Sequence, residues 1–151
     1  MKRIVLTVLA LLAFSTQAFA ASGLDNFMAN LNIQARSDMK DFSVKLSTQF
    51  GIPEAQVYAV IKSVKEPADA FICLQLGQWA QYTPERVLKT YETQRHKGWG
   101  AMAKSLGIKP GSARFHALKN GNLTFSGTPH HDQYDDYGKG KGKGKGKGHK
   151  E

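Results

Sequence analysis

The stretch PADAFICLQLGQWAQ, residues 67–81, carries apolar side chains on nearly every face that a helix would present. A helix of this composition is normally packed against neighbours on several sides. No segment before Asn122 alternates polar and apolar residues in the way that favours a strand. We therefore predict a central helix over residues 67–81 in an all-α domain.

The segments on either side of this helix have apolar residues spaced three and four apart, as amphipathic helices do. Their predicted ends are marked by capping and helix-breaking residues: Ser22, Ser37, Gly51, Pro53, Thr83, Pro84 and Gly98. Two short helices are predicted at residues 100–106 and 112–119. The pattern predicts a single orthogonal bundle of about six or seven short helices over residues 21–125.

The first twenty residues have the three parts of a secretory signal peptide. Lys2 and Arg3 form a charged start, residues 4–14 are apolar, and Ala18 and Ala20 supply the small residues of a cleavage site. The apolar part has about 11 residues, whereas a membrane-spanning helix needs about 20, so no transmembrane anchor is expected. We predict cleavage after Ala20 and a periplasmic or extracellular protein.

Cys73 is the only cysteine of the chain. It lies in the apolar run of residues 71–74, and free cysteine is among the most buried residue types, so we expect it to be buried. The alternative is a disulfide-linked dimer, which an oxidising compartment would permit. No bridge within one copy is available.

Charge is divided unevenly along the chain, whose formal net charge is +9. Residues 24–85 hold five basic and seven acidic side chains, whereas residues 86–119 hold eight basic and one acidic. Residues 138–151 add six lysines and one glutamate. A cationic surface of this kind attracts polyanions, so the second half of the chain is the predicted binding region.

Residues 102–118 resemble a helix-turn-helix, with Ala103 and Gly107 four residues apart. Phe115 and Leu118 fall about two residues late for the recognition helix of that motif. We therefore favour a hairpin used for packing, with DNA binding as an alternative. The basic residues of this hairpin are the predicted anion ligands: Lys104, Lys109, Arg114 and Lys119.

Residues 126–151 form a tail of simple composition that cannot bury a core, and we expect it to be disordered. Glycine and lysine alternate from 138 to 148, so a mobile backbone presents a row of cations. These lysines complete the predicted anion-binding set: Lys139, Lys141, Lys143, Lys145 and Lys147. The expected partner is an anionic polymer or envelope surface: lipid phosphate, acidic polysaccharide or extracellular nucleic acid.

Other chemistry has less support in the sequence. His130, His131 and His149 are candidate ligands for a divalent metal, although a flexible tail would bind it weakly. Trp99 lies between two glycines, which suits stacking on a sugar or base, but we expect it in the core. No nucleophile motif, zinc signature or phosphate-binding loop is present, so we expect neither an enzyme nor a cofactor.

Two segments resemble uncharacterised small exported helical proteins of Gram-negative bacteria. The first runs from Pro67 to Leu76, and the second runs from Gly98 through residues 106–112 to Leu118. The resemblance covers about half of the chain. It implies an exported helical domain with a variable tail, and it transfers no functional residue.

Overall fold

The structure, a computed structural model, describes residues 22–128. Within them the chain forms seven α-helices, one 3-10 turn and no strand. The helices are α1 (Gly23–Ser37), α2 (Met39–Phe50), α3 (Glu54–Lys62), α4 (Pro67–Ala80), α5 (Pro84–Gln94), α6 (Trp99–Ser105) and α7 (Ala113–Asn120), and the turn is Arg95–Lys97. The all-α prediction is confirmed. The predicted signal peptide and the tail beyond Thr128 lie outside the described residues.

Helix α4 is the centre of the domain, as the sequence predicts. Every residue from 68 to 77 is buried, and α1, α2, α3 and α5 all pack against this helix. Phe71, Ile72 and Leu76 are fully buried. Each such side chain contributes about 1.5–3 kcal/mol of hydrophobic stabilisation, so this one helix supplies much of the core.

The ends of the first helices follow local capping chemistry. Ser22 caps α1 in a capping box with Asp25, and Gly51 ends α2 in the left-handed conformation at φ 64°, both as predicted. The prediction that Ser37 caps α2 is wrong. Ser37 is the last residue of α1, and the Asp38 carboxylate accepts the amide hydrogen bond of Asp41 at 2.9 Å.

A segment after α7 passes over α2 and closes one side of the core. The side-chain amide of Gln49 donates to the carbonyl of Thr124 at 2.7 Å, and its oxygen accepts from the backbone N–H of Ser126 at 3.1 Å. Between these bonds Phe125 packs against Phe42, with ring centroids 5.1 Å apart. The packed chain thus includes Ser126 and Gly127, whose backbone N–H groups both donate to the side chain of Gln49.

Cys73 is 2% exposed, which confirms its predicted burial. Burial raises the pKa of its thiol far above the usual range, and the nearby Asp69 carboxylate raises it further. The folded domain therefore does not present Cys73 to a second copy. None of the helices in residues 22–128 combines the length and the apolar composition that crossing a membrane requires.

Candidate anion-binding surface

The cations of the second half are mostly exposed and not neutralised by carboxylates. Seven of the eight basic residues between 86 and 119 form no ion pair with another described residue, and the eighth, Arg114, is described below. The ion pairs seen in the described residues involve Arg36 and Lys45 of the first half. Five lysines of the second half are exposed and form no ion pair with a described residue: Lys89, Lys97, Lys104, Lys109 and Lys119.

Two arginines of this half lie over tyrosine rings. The guanidinium carbon of Arg86 is 3.8 Å from the ring centroid of Tyr82, and that of Arg95 is 5.3 Å from that of Tyr91. A cation on an aromatic face keeps its charge while its side chain loses freedom. Both arginines are exposed, so they add fixed positive charge to the surface near α5.

Arg114 is in a different position from the other predicted anion ligands. It is half-buried, and its Nη1 donates to the carbonyl oxygen of Trp79 at 3.0 Å. That carbonyl belongs to the last turn of α4, where the helix dipole favours a cation. Arg114 therefore joins α7 to the end of α4, a packing contact between residues 35 positions apart that local sequence does not reveal.

The structure brings together only part of the predicted ligand set. Lys109, Ser112 and Arg114 line one cleft of about 440 Å³ between the end of α4 and the loop before α7. Ser112 caps α7, accepting a hydrogen bond from the Phe115 N–H at 3.2 Å. Lys104 and Lys119 lie outside this cleft, at the ends of α6 and α7. The tail lysines lie beyond the described residues.

Helices α6 and α7 form the predicted hairpin. Seven residues, 106–112, separate them, and the Ile108 N–H donates to the Ala103 carbonyl at 3.0 Å to hold the turn. Ala117 and Leu118 of α7 are buried in the core. The exposed residues of α7 are His116, Lys119 and Asn120, which leaves few side chains for reading base edges.

Trp99 packs against the core, as the sequence analysis expected, and it also forms part of the surface. It is half-buried rather than enclosed, its ring centroid is 5.8 Å from that of Tyr91, and it lines a cleft of about 420 Å³. Phe115 and Lys119 line the same cleft. The flanking glycines, noted in the sequence, were the signal for this site.

A buried polar contact joins α4 to α5. The Tyr91 hydroxyl donates to the Asp69 carboxylate at 2.5 Å and accepts from the Lys65 N–H at 3.1 Å. Burial, followed by the hydrogen bond to Asp69, raises the pKa of Tyr91 to about 12. Asp69 is 6% exposed, so this pair stabilises the fold and does not face a substrate.

The histidines predicted to bind a metal lie outside the described residues. Residues 22–128 contain no group of three or more histidine, cysteine, aspartate or glutamate side chains that would hold a metal ion. The predicted ligands His130, His131 and His149 all lie outside that range. Their role stays a prediction.

Comparisons of the chain with protein-family models, with curated proteins and with solved structures find no match. The resemblance to exported Gram-negative proteins therefore stays a prediction, and the function has to be inferred from the surface of the domain itself.

Proposed function

We propose that this chain is an exported, non-enzymatic module that binds an anionic polymer or an anionic envelope surface. In this proposal the leader is removed after Ala20, the helices form an orthogonal bundle, and a disordered tail follows. The protein then acts in the periplasm or outside the cell. Its binding region combines the basic surface of α5 to α7 with the lysines of the tail.

The observation that carries the proposal is the set of exposed lysines without ion pairs in the second half. A paired lysine would have to lose its carboxylate partner before binding an anion, whereas these five need only release hydration and counterions. The one glutamate of this region, Glu92, does not neutralise any of them. The surface therefore favours an extended ligand with many negative charges.

The tail adds a second set of cations with different properties. The alternating glycines let each lysine reach an irregular partner without a fixed geometry. The domain and the tail are linked, so binding by one raises the local concentration of the other. We expect the two parts together to bind a long polyanion much more tightly than either part binds alone.

The experiment compares retention of the processed protein, from Ala21 to Glu151, on heparin and on duplex DNA at low salt. Three changes are made: deletion of residues 138–151, the triple substitution K104Q, K109Q and K119Q, and both together. We expect each single change to lower the salt concentration of elution and the combination to abolish retention. Arg114 is left intact because its contact with Trp79 stabilises the fold.

The matched control is the triple substitution K40Q, K62Q and K65Q in the first half. These lysines are also exposed and outside the ion pairs, so the control changes the net charge by the same amount. We expect this control to elute at a salt concentration close to that of the wild type. Equal losses in both triples would show that only total charge matters, and no retention at low salt would refute the proposal. Strong preference for duplex DNA would instead favour the helix-turn-helix alternative.

A further inference from the structure

The cleft beside Trp99 has the size and lining of a small-ligand site. It has a volume of about 420 Å³, within the usual range of about 300–1,000 Å³ for such sites. Trp99 and Phe115, both half-buried, give it two aromatic walls. Gly98 and Gly100 flank the indole, and neither brings a side chain that would cover it.

Polar groups line the same cleft at the start of α1 and the end of α7. They are Ser22, Asp25 and Lys119. Asp25 and Lys119 do not form an ion pair with each other. The Asp25 carboxylate accepts hydrogen bonds from the Ser22 N–H at 3.0 Å and the Ser22 hydroxyl at 2.7 Å, so it is held in place, and an ionised carboxylate has further acceptor positions. The cleft therefore offers an aromatic face, a fixed acceptor and a cation.

We propose that this cleft binds one sugar unit of an acidic polysaccharide. The indole of Trp99 packs against the apolar face of the pyranose ring, Lys119 binds the sugar carboxylate, and Asp25 accepts a hydrogen bond from a ring hydroxyl. This inference rests on the proposed polyanion binding and names its partner. It goes beyond that proposal by assigning a site that recognises the sugar ring and a hydroxyl as well as the negative charge.

The carboxylate of Asp25 is what favours a polysaccharide over nucleic acid. Within a DNA strand the sugar has no free hydroxyl, so the charged phosphate comes without a hydroxyl donor on the neighbouring ring for the Asp25 carboxylate. A uronic acid unit carries a carboxylate and several hydroxyl donors together. It therefore satisfies the neighbouring cation and acceptor of this cleft at the same time.

The frame of the cleft is held by a close backbone contact between α1 and the end of α7. An added Cβ on Gly23 would lie 2.0 Å from the Asn120 carbonyl oxygen, and one on Gly121 would lie 2.2 Å from that of Gly23. Only glycine permits this approach at either position. Asp25 is two residues from Gly23 and Lys119 is next to Asn120, so their backbones are fixed relative to each other.

Intrinsic fluorescence tests the proposal directly, because the chain has two tryptophans and Trp79 is 3% exposed. The processed protein carrying W79F is titrated with oligogalacturonate, with a neutral glucose oligomer of the same length, and with single-stranded DNA. Saturable change of the Trp99 signal with oligogalacturonate alone supports the site. An equal response to the neutral sugar or to DNA would overturn it, and so would no response at all.

Variants separate the cleft from the general basic surface, with affinity measured by calorimetry. We expect W99L and K119Q each to weaken oligogalacturonate binding about tenfold, which corresponds to about 1.4 kcal/mol. The matched control K62Q removes an exposed lysine of the first half, outside the cleft and outside the ion pairs, and should leave the affinity within about twofold. A loss as large in K62Q as in K119Q would overturn the assignment.

The two proposals fail in different ways. Retention on heparin without any Trp99 response would remove the sugar site and leave polyanion binding standing. A Trp99 response to oligogalacturonate without retention on heparin or DNA would keep the sugar site and show that the basic surface does not bind polyanions in general.

Discussion

Replacing Tyr91 with phenylalanine tests whether the contact between α4 and α5 stabilises the domain. The change removes the hydroxyl that donates to Asp69 at 2.5 Å and accepts from the Lys65 N–H at 3.1 Å. A hydrogen bond to a charged group contributes about 1.5–3 kcal/mol, and the Lys65 N–H also loses its acceptor. We expect the free energy of unfolding to fall by about 2–3 kcal/mol at pH 7.

The pH dependence follows from the raised pKa of Tyr91. In the unfolded chain the phenol ionises near its model value of 10.0, whereas in the folded domain it stays protonated up to about 12. The stabilisation is therefore complete below pH 10 and is lost as pH rises towards 12. Two pKa units correspond to about 3 kcal/mol, of which about 1.4 kcal/mol is lost by pH 11, so the difference between wild type and Y91F should shrink by about 1.4 kcal/mol between pH 9 and pH 11.

Urea unfolding at pH 7, 9, 10 and 11 measures this difference. The matched control is Y58F on α3, where the hydroxyl makes no hydrogen bond to another described residue; it should change the free energy of unfolding by less than about 0.5 kcal/mol. A difference between wild type and Y91F below about 0.5 kcal/mol at pH 7, or one that stays constant to pH 11, would refute the reasoning.

Three further predictions concern other parts of the structure. Because Cys73 is buried and its thiol pKa is raised, it should react with Ellman's reagent only after denaturation; fast labelling of the native protein would contradict this. Gly23→Ala should destabilise the domain by about 1–3 kcal/mol in thermal unfolding, because its Cβ would overlap the Asn120 carbonyl; an unchanged melting temperature would argue against the close contact. Gln49→Ala should expose the chain around Ser126 to proteases faster than in wild type, because its side chain anchors that segment; equal cleavage rates would show that the segment is held in another way.

Much of the fold was predictable because its signals are local. The burial of residues 68–77 follows from apolar residues on nearly every helix face, and the boundaries of α1 and α2 at Ser22 and Gly51 follow from capping chemistry within a few residues. The wrong prediction that Ser37 caps α2 also came from a local signal. Ser37 and Asp38 are adjacent and both suit a cap, and only the chain direction after α1 decides between them.

The candidate sites were less predictable because they depend on contacts across the chain. The charge of the second half is visible in the sequence, but whether Arg114 faces solvent depends on Trp79, 35 residues away. Likewise, a tryptophan between two glycines, such as Trp99, can lie either in the core or at the surface. Its position in a cleft depends on α7 and on the first residues of α1, which no local pattern connects.

The salt dependence of duplex DNA binding tests the central claim most directly. Each phosphate contact contributes about 0.9 to the slope of log affinity against log salt concentration. The triple substitution of Lys104, Lys109 and Lys119 should therefore lower the magnitude of the slope by up to about 2.7, and the first-half triple should leave it unchanged. Identical slopes for the wild type and both triples would contradict a binding surface on α6 and α7.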